Sequence, residues 1–318
     1  MTDYRFIDRL TRNPAAERGA LVRGLLDARA SIAPKYFYDT VGCALFGAIC
    51  ELPEYYPTRT ERAIFLQHRD EIAAAVGRGR QFVDLGAGDC SKAESWLPFL
   101  APTRYVAVDI AGDTLARALA RLAPEFPELE LTGIVADFTQ GLDLRRDLGD
   151  APTTFFYPGS SIGNFAPDDA LGFLTDIHLH CLADAGSGLL IGVDTSKDPR
   201  RLQAAYDDAP GVTAAFNRNV LRHVNRVIGT DFDPAEFDHL AFFDESASRI
   251  EMHLVARRRQ SVRVGDVDRA FDDGEPIHTE NSYKYAPAEF TAMLQAAGFS
   301  RVRCWQDDAR DFAVYYAA

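Results

Sequence analysis

The chain has 318 residues, 47% hydrophobic and 25% charged, enough apolar material for one large or two medium domains. Asp and Glu outnumber Lys and Arg by 47 to 34, a net charge of −13, which argues against nucleic acid as the main partner because phosphate binding calls for a basic face. The five cysteines are scattered, with no C-x-x-C pair, so neither a metal site nor a disulfide framework is indicated. No apolar run reaches the roughly 20 residues of a membrane span, and a cytoplasmic protein with no membrane partner is expected.

Residues 14–30 read as a helix. The stretch E-L-P-E-Y-Y-P-T-R-T-E, Glu51 to Glu61, then sets two tyrosines between two prolines. Pro53 and Pro57 restrict φ, and Pro57 pushes Tyr56 toward extended backbone, so an ordered loop is expected. Thr58 or Thr60 would cap a helix over 60–76. Short apolar strands follow at Gln81–Leu85, Arg104–Asp109, Glu130–Asp137, Thr153–Tyr157 and Gly188–Asp194, with helices such as Asp113–Leu122 and Pro167–Leu182 between them. This alternation implies a parallel sheet covered on both faces. Beyond Asp194 the rhythm breaks. Residues 199–228 read as helical around the turn D-D-A-P-G, Arg249–Arg257 alternates like a strand, and Ser261–Val267 is its candidate partner. Pro287–Ala297 reads as a helix closed by Gly298, and strands Val302–Gln306 and Phe312–Tyr315 follow. An α/β domain over 58–194 plus 285–318 and a smaller α+β lobe over 1–57 plus 195–284 are expected.

F-V-D-L-G-A-G-D-C-S-K, Phe82 to Lys92, runs a strand into Gly86 and Gly88. Glycines there let backbone approach a ligand closely. The dinucleotide fingerprint G-x-G-x-x-G has Ser91 in its third position here, which weakens a nicotinamide reading. About 20 residues on, Asp109 ends the second strand, where a carboxylate holds a ribose diol. Asp137 and Phe138 follow the third strand, suited to an adenine edge and face. A loop and two carboxylates at strand C-termini resemble the class I S-adenosylmethionine-dependent methyltransferases, whose D-x-G-x-G loop is matched by Asp84-Leu-Gly86-Ala-Gly88.

Six longer motifs sharpen the resemblance: Lys35–Gly42, Leu52–Glu61, Gly159–Phe165, Ala205–Leu221, Arg249–Leu254 and Thr279–Tyr285. Together they resemble, over essentially the whole chain, the histidine Nα-methyltransferases of ergothioneine biosynthesis, which trimethylate L-histidine to hercynine. The resemblance implies a Rossmann-like class I methyltransferase sheet with a smaller α+β substrate-binding lobe. It implies S-adenosyl-L-methionine as cofactor, held by Tyr38, Gly86, Gly88, Lys92, Asp109, Asp137 and Phe138, and S-adenosyl-L-homocysteine as product. It gives Asn164 and Tyr206 to the substrate carboxylate, Glu280 and Ser282 to the imidazole with Tyr55 assisting, and Thr213 and Met252 to the pocket wall. Tyr38 would lie beside the amine as the catalytic residue. A G-A-G-D loop and Pro158 before Gly159 depart modestly from the family pattern. A monomer is expected, although no residue fixes the oligomeric state.

The chemistry asks for the same residue types. An attacking amine must be unprotonated, so neutral phenols suit its surroundings better than a carboxylate, and aromatic faces tolerate a growing quaternary ammonium. A carboxylate and a hydroxyl suit a ring with two nitrogens. Other readings are a methyltransferase for another aromatic amine such as tryptophan, disfavoured by Glu280 and Met252, and a non-catalytic binding module, disfavoured by the intact Asp109, Asp137 and paired glycines. His253, next to Met252 on an alternating strand, should face the opposite side.

Overall fold

The computed structural model describes residues 4–10, 14–141, 144, 146–149 and 151–318. Strands run in chain order as β1 (Tyr4–Asp8), β2 (Gln81–Leu85), β3 (Arg104–Asp109), β4 (Glu130–Val135), β5 (Thr153–Tyr157), β6 (Gly188–Asp194), β7 (Phe237–Asp244), β8 (Arg249–Ala256), β9 (Gln260–Val264), β10 (Val267–Phe271), β11 (Pro276–Tyr283), β12 (Val302–Gln306) and β13 (Phe312–Ala317). The helices are α1 (Pro14–Leu26), α2 (Thr40–Cys50), α3 (Tyr56–Gln67), α4 (Arg69–Val76), α5 (Ser91–Glu94), α6 (Leu97–Leu100), α7 (Gly112–Glu125), α8 (Pro167–Cys181), α9 (Pro199–Ala204), α10 (Val212–Ile228) and α11 (Pro287–Ala296). Two compact units result: Met1–Leu10 with Pro57–Ser196 and Lys284–Ala318, and Thr11–Tyr56 with Lys197–Tyr283.

The first unit is built on an eight-stranded sheet, order β1-β4-β3-β2-β5-β6-β13-β12. β1 to β6 pair in parallel, and β13 runs antiparallel between β6 and β12. β2, β5 and β6 are buried along their whole length, which is why they read as unbroken apolar runs rather than alternations. From β2 the chain steps outward through β3 and β4, then returns to lay β5 on the other flank. The β2/β5 boundary is therefore the topological switch point, where open α/β sheets bind ligands at strand C-termini.

The second unit packs the antiparallel sheet β11-β8-β7 against α10, with the β9–β10 hairpin and α1 and α2. Alternate β8 residues Ile250, Met252, Leu254 and Ala256 are buried, while those between are half-exposed. On α10, Thr213, Phe216, Asn217, Val220, Leu221 and Val224 make the matching buried stripe at helical spacing. No helix among the described residues is long and apolar enough to cross a membrane.

Several expectations need correction. Residues 1–57 were expected in the smaller lobe, but β1 pairs with β4 at the edge of the large sheet; Met1–Asp3 lie outside the described residues. The helix over 60–76 starts at Tyr56 and divides at His68 into α3 and α4, so Thr58 and Thr60 are interior rather than capping. Pro57 fits that first turn because its missing N–H has no partner to lose there. The helix over 14–30 stops at Leu26. Ser261–Val267 does not pair with β8. The strand ends at Val264, turns through Gly265 and Asp266, and pairs with β10, and β11 takes the place beside β8.

Candidate active site

In the first unit, β2 leads into Gly86 and Gly88 at φ +71° and +54°, a region glycine enters without strain. The N–H groups of Gly86 and Ala87 both donate to the Val108 carbonyl, at 2.9 and 3.1 Å, hooking the loop to β3. Asp109, the last residue of β3, accepts the Gly88 N–H on Oδ2 and the Ala111 N–H on Oδ1, each at 2.7 Å. Burial raises its pKa, against the pull of the Ala111, Gly88 and Ile110 amides. Each oxygen still has capacity for a further donor. Asp137 caps the turn Phe138–Gln140 by accepting the Thr139 N–H at 3.1 Å. The Phe138 ring stands edge-on to Tyr157 at 5.8 Å. A Cβ at Gly88 would meet nothing within 4 Å, whereas one at Gly86 would lie 3.9 Å from the Phe138 ring. A glycine turn bordering open space, an acidic strand end and an aromatic face fit a nucleoside ligand. Next to the loop, Tyr105 donates to Asp84 Oδ2 at 2.8 Å; burial pushes that carboxyl up to about 7 and the nearby Cys90 thiol up to about 12.

Lys92 donates from Nζ to Glu61 Oε2 at 2.7 Å, and Glu61 Oε1 accepts the Gly159 N–H at 2.7 Å. Glu61, 1% exposed, thus ties α3, α5 and the Gly159 turn together. That turn continues into a 3-10 helix, Ser161–Asn164, which places half-buried Asn164 after the C-terminus of β5.

In the second unit, Asp39 caps α2 by accepting the Gly42 N–H at 2.7 Å and is held by Asn219 and Arg226 of α10, so the backbone beside Tyr38 is tied to that helix. The Tyr38 ring meets Phe46 at 5.9 Å and Phe216 at 6.1 Å; Phe46 meets Tyr55 at 6.2 Å, and Tyr55 meets Tyr206 at 6.2 Å. The Tyr206 hydroxyl is hydrogen-bonded to Ser282 Oγ at 2.8 Å. Tyr55 is held well above the usual phenol range, first by burial and then by Tyr206, Cys50, Tyr38 and Glu280, which share its neighbourhood. Glu280 faces Met252 directly across the β8–β11 ladder, and both are buried. Asp208 accepts the N–H groups of Val212 and Thr213 at 2.8 and 2.7 Å, starting α10 and burying Thr213. Tyr38, Tyr55, Tyr206, Ser282, Glu280 and Met252 therefore gather within this unit. His253 lies on the other face, stacked on Phe242 at 5.4 Å and bonded to Glu251 at 2.8 Å.

A family model for histidine-specific, S-adenosylmethionine-dependent methyltransferases matches residues 17–318. The chain belongs to that family. The enzyme is 40% identical to the histidine N-alpha-methyltransferase of Mycobacterium tuberculosis over 95% of each chain, and 40% identical to that of Mycolicibacterium smegmatis over 97% of each. It is 31% identical to ergothioneine biosynthesis protein 1 of Neurospora crassa, over 84% of its own length and 31% of that protein's. It is an S-adenosylmethionine-dependent methyltransferase.

Several residues of this methyltransferase carry its geometry without having stood out in the sequence. Phe46 and Phe216 complete the aromatic path, Glu61 anchors Lys92, and His239 and Asn217 hold the backbone at Tyr206. The run T-R-T-E contained Glu61, but a helix-start motif does not reveal a partner 31 residues on. Tyr56, buried at the start of α3, takes a hydrogen bond from Lys197 Nζ at 2.7 Å, with Arg201 over its ring.

Proposed function

We propose that the enzyme methylates the α-amine of L-histidine three times, giving hercynine for ergothioneine biosynthesis. The observation that carries this reading is the pairing of buried Glu280 with Met252, beside Ser282 bonded to Tyr206. One acceptor-only group and one hydroxyl suit an imidazole with two nitrogens, and a site built to hydrogen-bond its ligand rejects rings that leave those groups unpaired. The names of the 40%-identical relatives support the same substrate.

The first unit's glycine turn, Asp109, Asp137 and Phe138 would hold S-adenosylmethionine, with Lys92 beside them. When bound, S-adenosylmethionine supplies an electrophilic methyl and departs as S-adenosylhomocysteine. The chain's own work is to present a neutral amine. Tyr55, kept protonated, is a neutral donor that does not stabilise an ammonium as a carboxylate would. Tyr38, Phe46 and Phe216 offer aromatic faces for the cation that accumulates with each methyl. Tyr206 is the neutral donor this reading gives the substrate carboxylate, and Asn164, an amide of the first unit, is the other residue type suited to that role. The reading includes a monomer in a reducing cytoplasm, consistent with the free cysteines among the described residues.

The test is to incubate the protein with S-adenosylmethionine and a panel of amino acids and to measure mass gains of one, two and three methyl groups. Histidine should be converted. In Glu280→Ala, and further in Glu280→Ala with Met252→Val, the ratio of kcat/KM for histidine over tryptophan should fall. A constant ratio in folded protein would remove Glu280 from the substrate site and favour another aromatic amine.

A further inference from the structure

In β11, Ile277 stands opposite Leu254 and His278 opposite His253; the ladder then resumes with Glu280 opposite Met252, Asn281 opposite Glu251 and Ser282 opposite Ile250. Thr279 is the extra residue of a β-bulge. Its effect is a reversal of parity. Before it, odd-numbered Ile277 is buried with Leu254; after it, even-numbered Glu280 and Ser282 are buried beside Met252 and Ile250. A strand without the extra residue alternates with period two, so burying Ile277 would turn Asn281 and Tyr283 inward and send Glu280 and Ser282 to the face of His253 and Glu251. We propose that this bulge aims the imidazole-binding pair, with Thr279 its principal positioning residue and Asn281 its support. The inference rests on the reading that Glu280 and Ser282 hold the ring.

The bulge is fastened on three sides. The Thr279 hydroxyl, fully buried, donates to the Met252 carbonyl at 3.0 Å, across the point where the register shifts. On the opposite face, His278 Nε2 donates to Asn281 Oδ1 at 2.9 Å, which bridges the extra residue from before to after. Just before the bulge, the His278 N–H donates to Ala30 O at 2.8 Å and its carbonyl accepts the Ile32 N–H at 2.9 Å, so a separate segment fixes where the irregularity starts. Bulges are common on edge strands and can be simple kinks. This one immediately precedes two buried polar side chains, and regularising it would turn half-buried Asn281 and the Tyr283 ring, which meets Arg249 on the opposite face, toward Met252 in their place.

The experiment compares Thr279→Val, Thr279→Ser, Asn281→Ala and Glu280→Ala in the full chain. It measures kcat and KM for histidine, the histidine-over-tryptophan ratio of kcat/KM, the Kd of S-adenosylhomocysteine by calorimetry, and Tm. Thr279→Val should raise the histidine KM about tenfold, as one lost buried hydrogen bond allows, and lower the ratio while leaving S-adenosylhomocysteine binding unchanged. Thr279→Ser, which keeps the hydroxyl, should restore both. Thr279→Val with a lower Tm but unchanged KM and ratio overturns the inference. Where Thr279→Val does not fold, Asn281→Ala decides: a raised histidine KM supports the inference and an unchanged one overturns it. If Glu280→Ala itself leaves histidine use unchanged, the substrate reading fails; if Glu280→Ala has its effect and Thr279→Val does not, only the bulge inference fails.

Discussion

His239 donates its Nε2–H to the main-chain carbonyl of Tyr206 at 2.8 Å. Its tautomer follows from its other neighbour. The Asn217 amide nitrogen donates to His253 O at 3.0 Å and lies 2.9 Å from His239 Nδ1, so that ring nitrogen must accept. Protonating it would set donor against donor. Burial lowers the His239 pKa, opposed by the Tyr206 carbonyl bond and by Asp207, with Arg218 lowering it further and Asp208 raising it. A histidine with a depressed folded pKa contributes no loss above the unfolded value of about 6.5, and stability falls as pH drops below that. In Tm measurements from pH 8 to 5, His239→Gln, which keeps a donor for Tyr206, should show a shallower acid decline than wild type. Asn217→Ala leaves the part-buried His253 carbonyl and His239 Nδ1 short of a donor and should cost roughly 1–3 kcal/mol while raising the histidine KM. An unchanged KM in folded Asn217→Ala would mean the relay does not reach Tyr206's side chain.

Asp109 ties the glycine loop to the residues that lead into α7 and, in the proposed reading, also holds the cofactor ribose, so one substitution would remove both. Asp109→Ala should weaken S-adenosylhomocysteine binding by roughly 1.5–3 kcal/mol, as expected for hydrogen bonds to a charged acceptor, and should also loosen the loop held through Gly88 and Ala111. Asp109→Asn keeps an acceptor for one amide and should recover more stability than affinity. Calorimetry and Tm on both variants check this. Unchanged affinity in Asp109→Ala would leave Asp109 as a loop cap alone.

The parallel strands were legible because burial on both faces writes them as continuous apolar runs, and the glycine turn because few residues besides glycine enter its backbone region. β1 was not legible, since an edge strand with Arg5 and Phe6 exposed lacks that run. The reading that extended Ser261 to Val267 ran a strand through a two-residue hairpin turn, and with it misassigned the partner of β8. The residues proposed for the site were named from motif resemblance, but the contacts that hold them in place were not. A bulge at Thr279, or the contact of Glu61 with Gly159, is decided by pairing between distant segments, and local periodicity carries no trace of it.

Asp84 gives a pH dependence of the opposite sense to that of His239. Its carboxyl, raised by burial to about 7 against the Tyr105 hydrogen bond, is protonated in the folded chain over a range where the unfolded chain has released its proton. The native state then binds more protons, so this group's contribution to stability declines as pH rises from about 4 to about 7 and is flat above. Asp84→Asn keeps an acceptor for Tyr105 and removes the titration. Its Tm should vary less than that of wild type across that window and should exceed it at pH 8. A wild-type profile unaltered by the substitution would mean Asp84 is ionised in the fold.

Glu61 makes the last prediction because it joins three pieces of the first unit. Its carboxylate takes the Lys92 ammonium and the Gly159 N–H, and a Cβ added at Gly192 would run into Oε1, so β6 needs a glycine beneath it. Glu61→Ala strands a backbone donor at the start of the turn that leads to Asn164, at roughly 1–3 kcal/mol. It also leaves Lys92 without its partner, a smaller loss because that side chain is 36% exposed and can turn to water. Glu61→Gln retains an acceptor for Gly159 but sets an amide donor toward the ammonium, so it should fall between Glu61→Ala and wild type. The decisive measurement is a double-mutant cycle in which Lys92→Ala is combined with Glu61→Ala. Residues bonded to each other should show a coupling of roughly 0.5–3 kcal/mol in stability. Both single variants should also weaken S-adenosylhomocysteine binding, since Lys92 sits on the helix that follows the glycine turn. Additive stability losses would show that the contact between Glu61 and Lys92 contributes nothing, and would leave Gly159 as the only group that Glu61 serves.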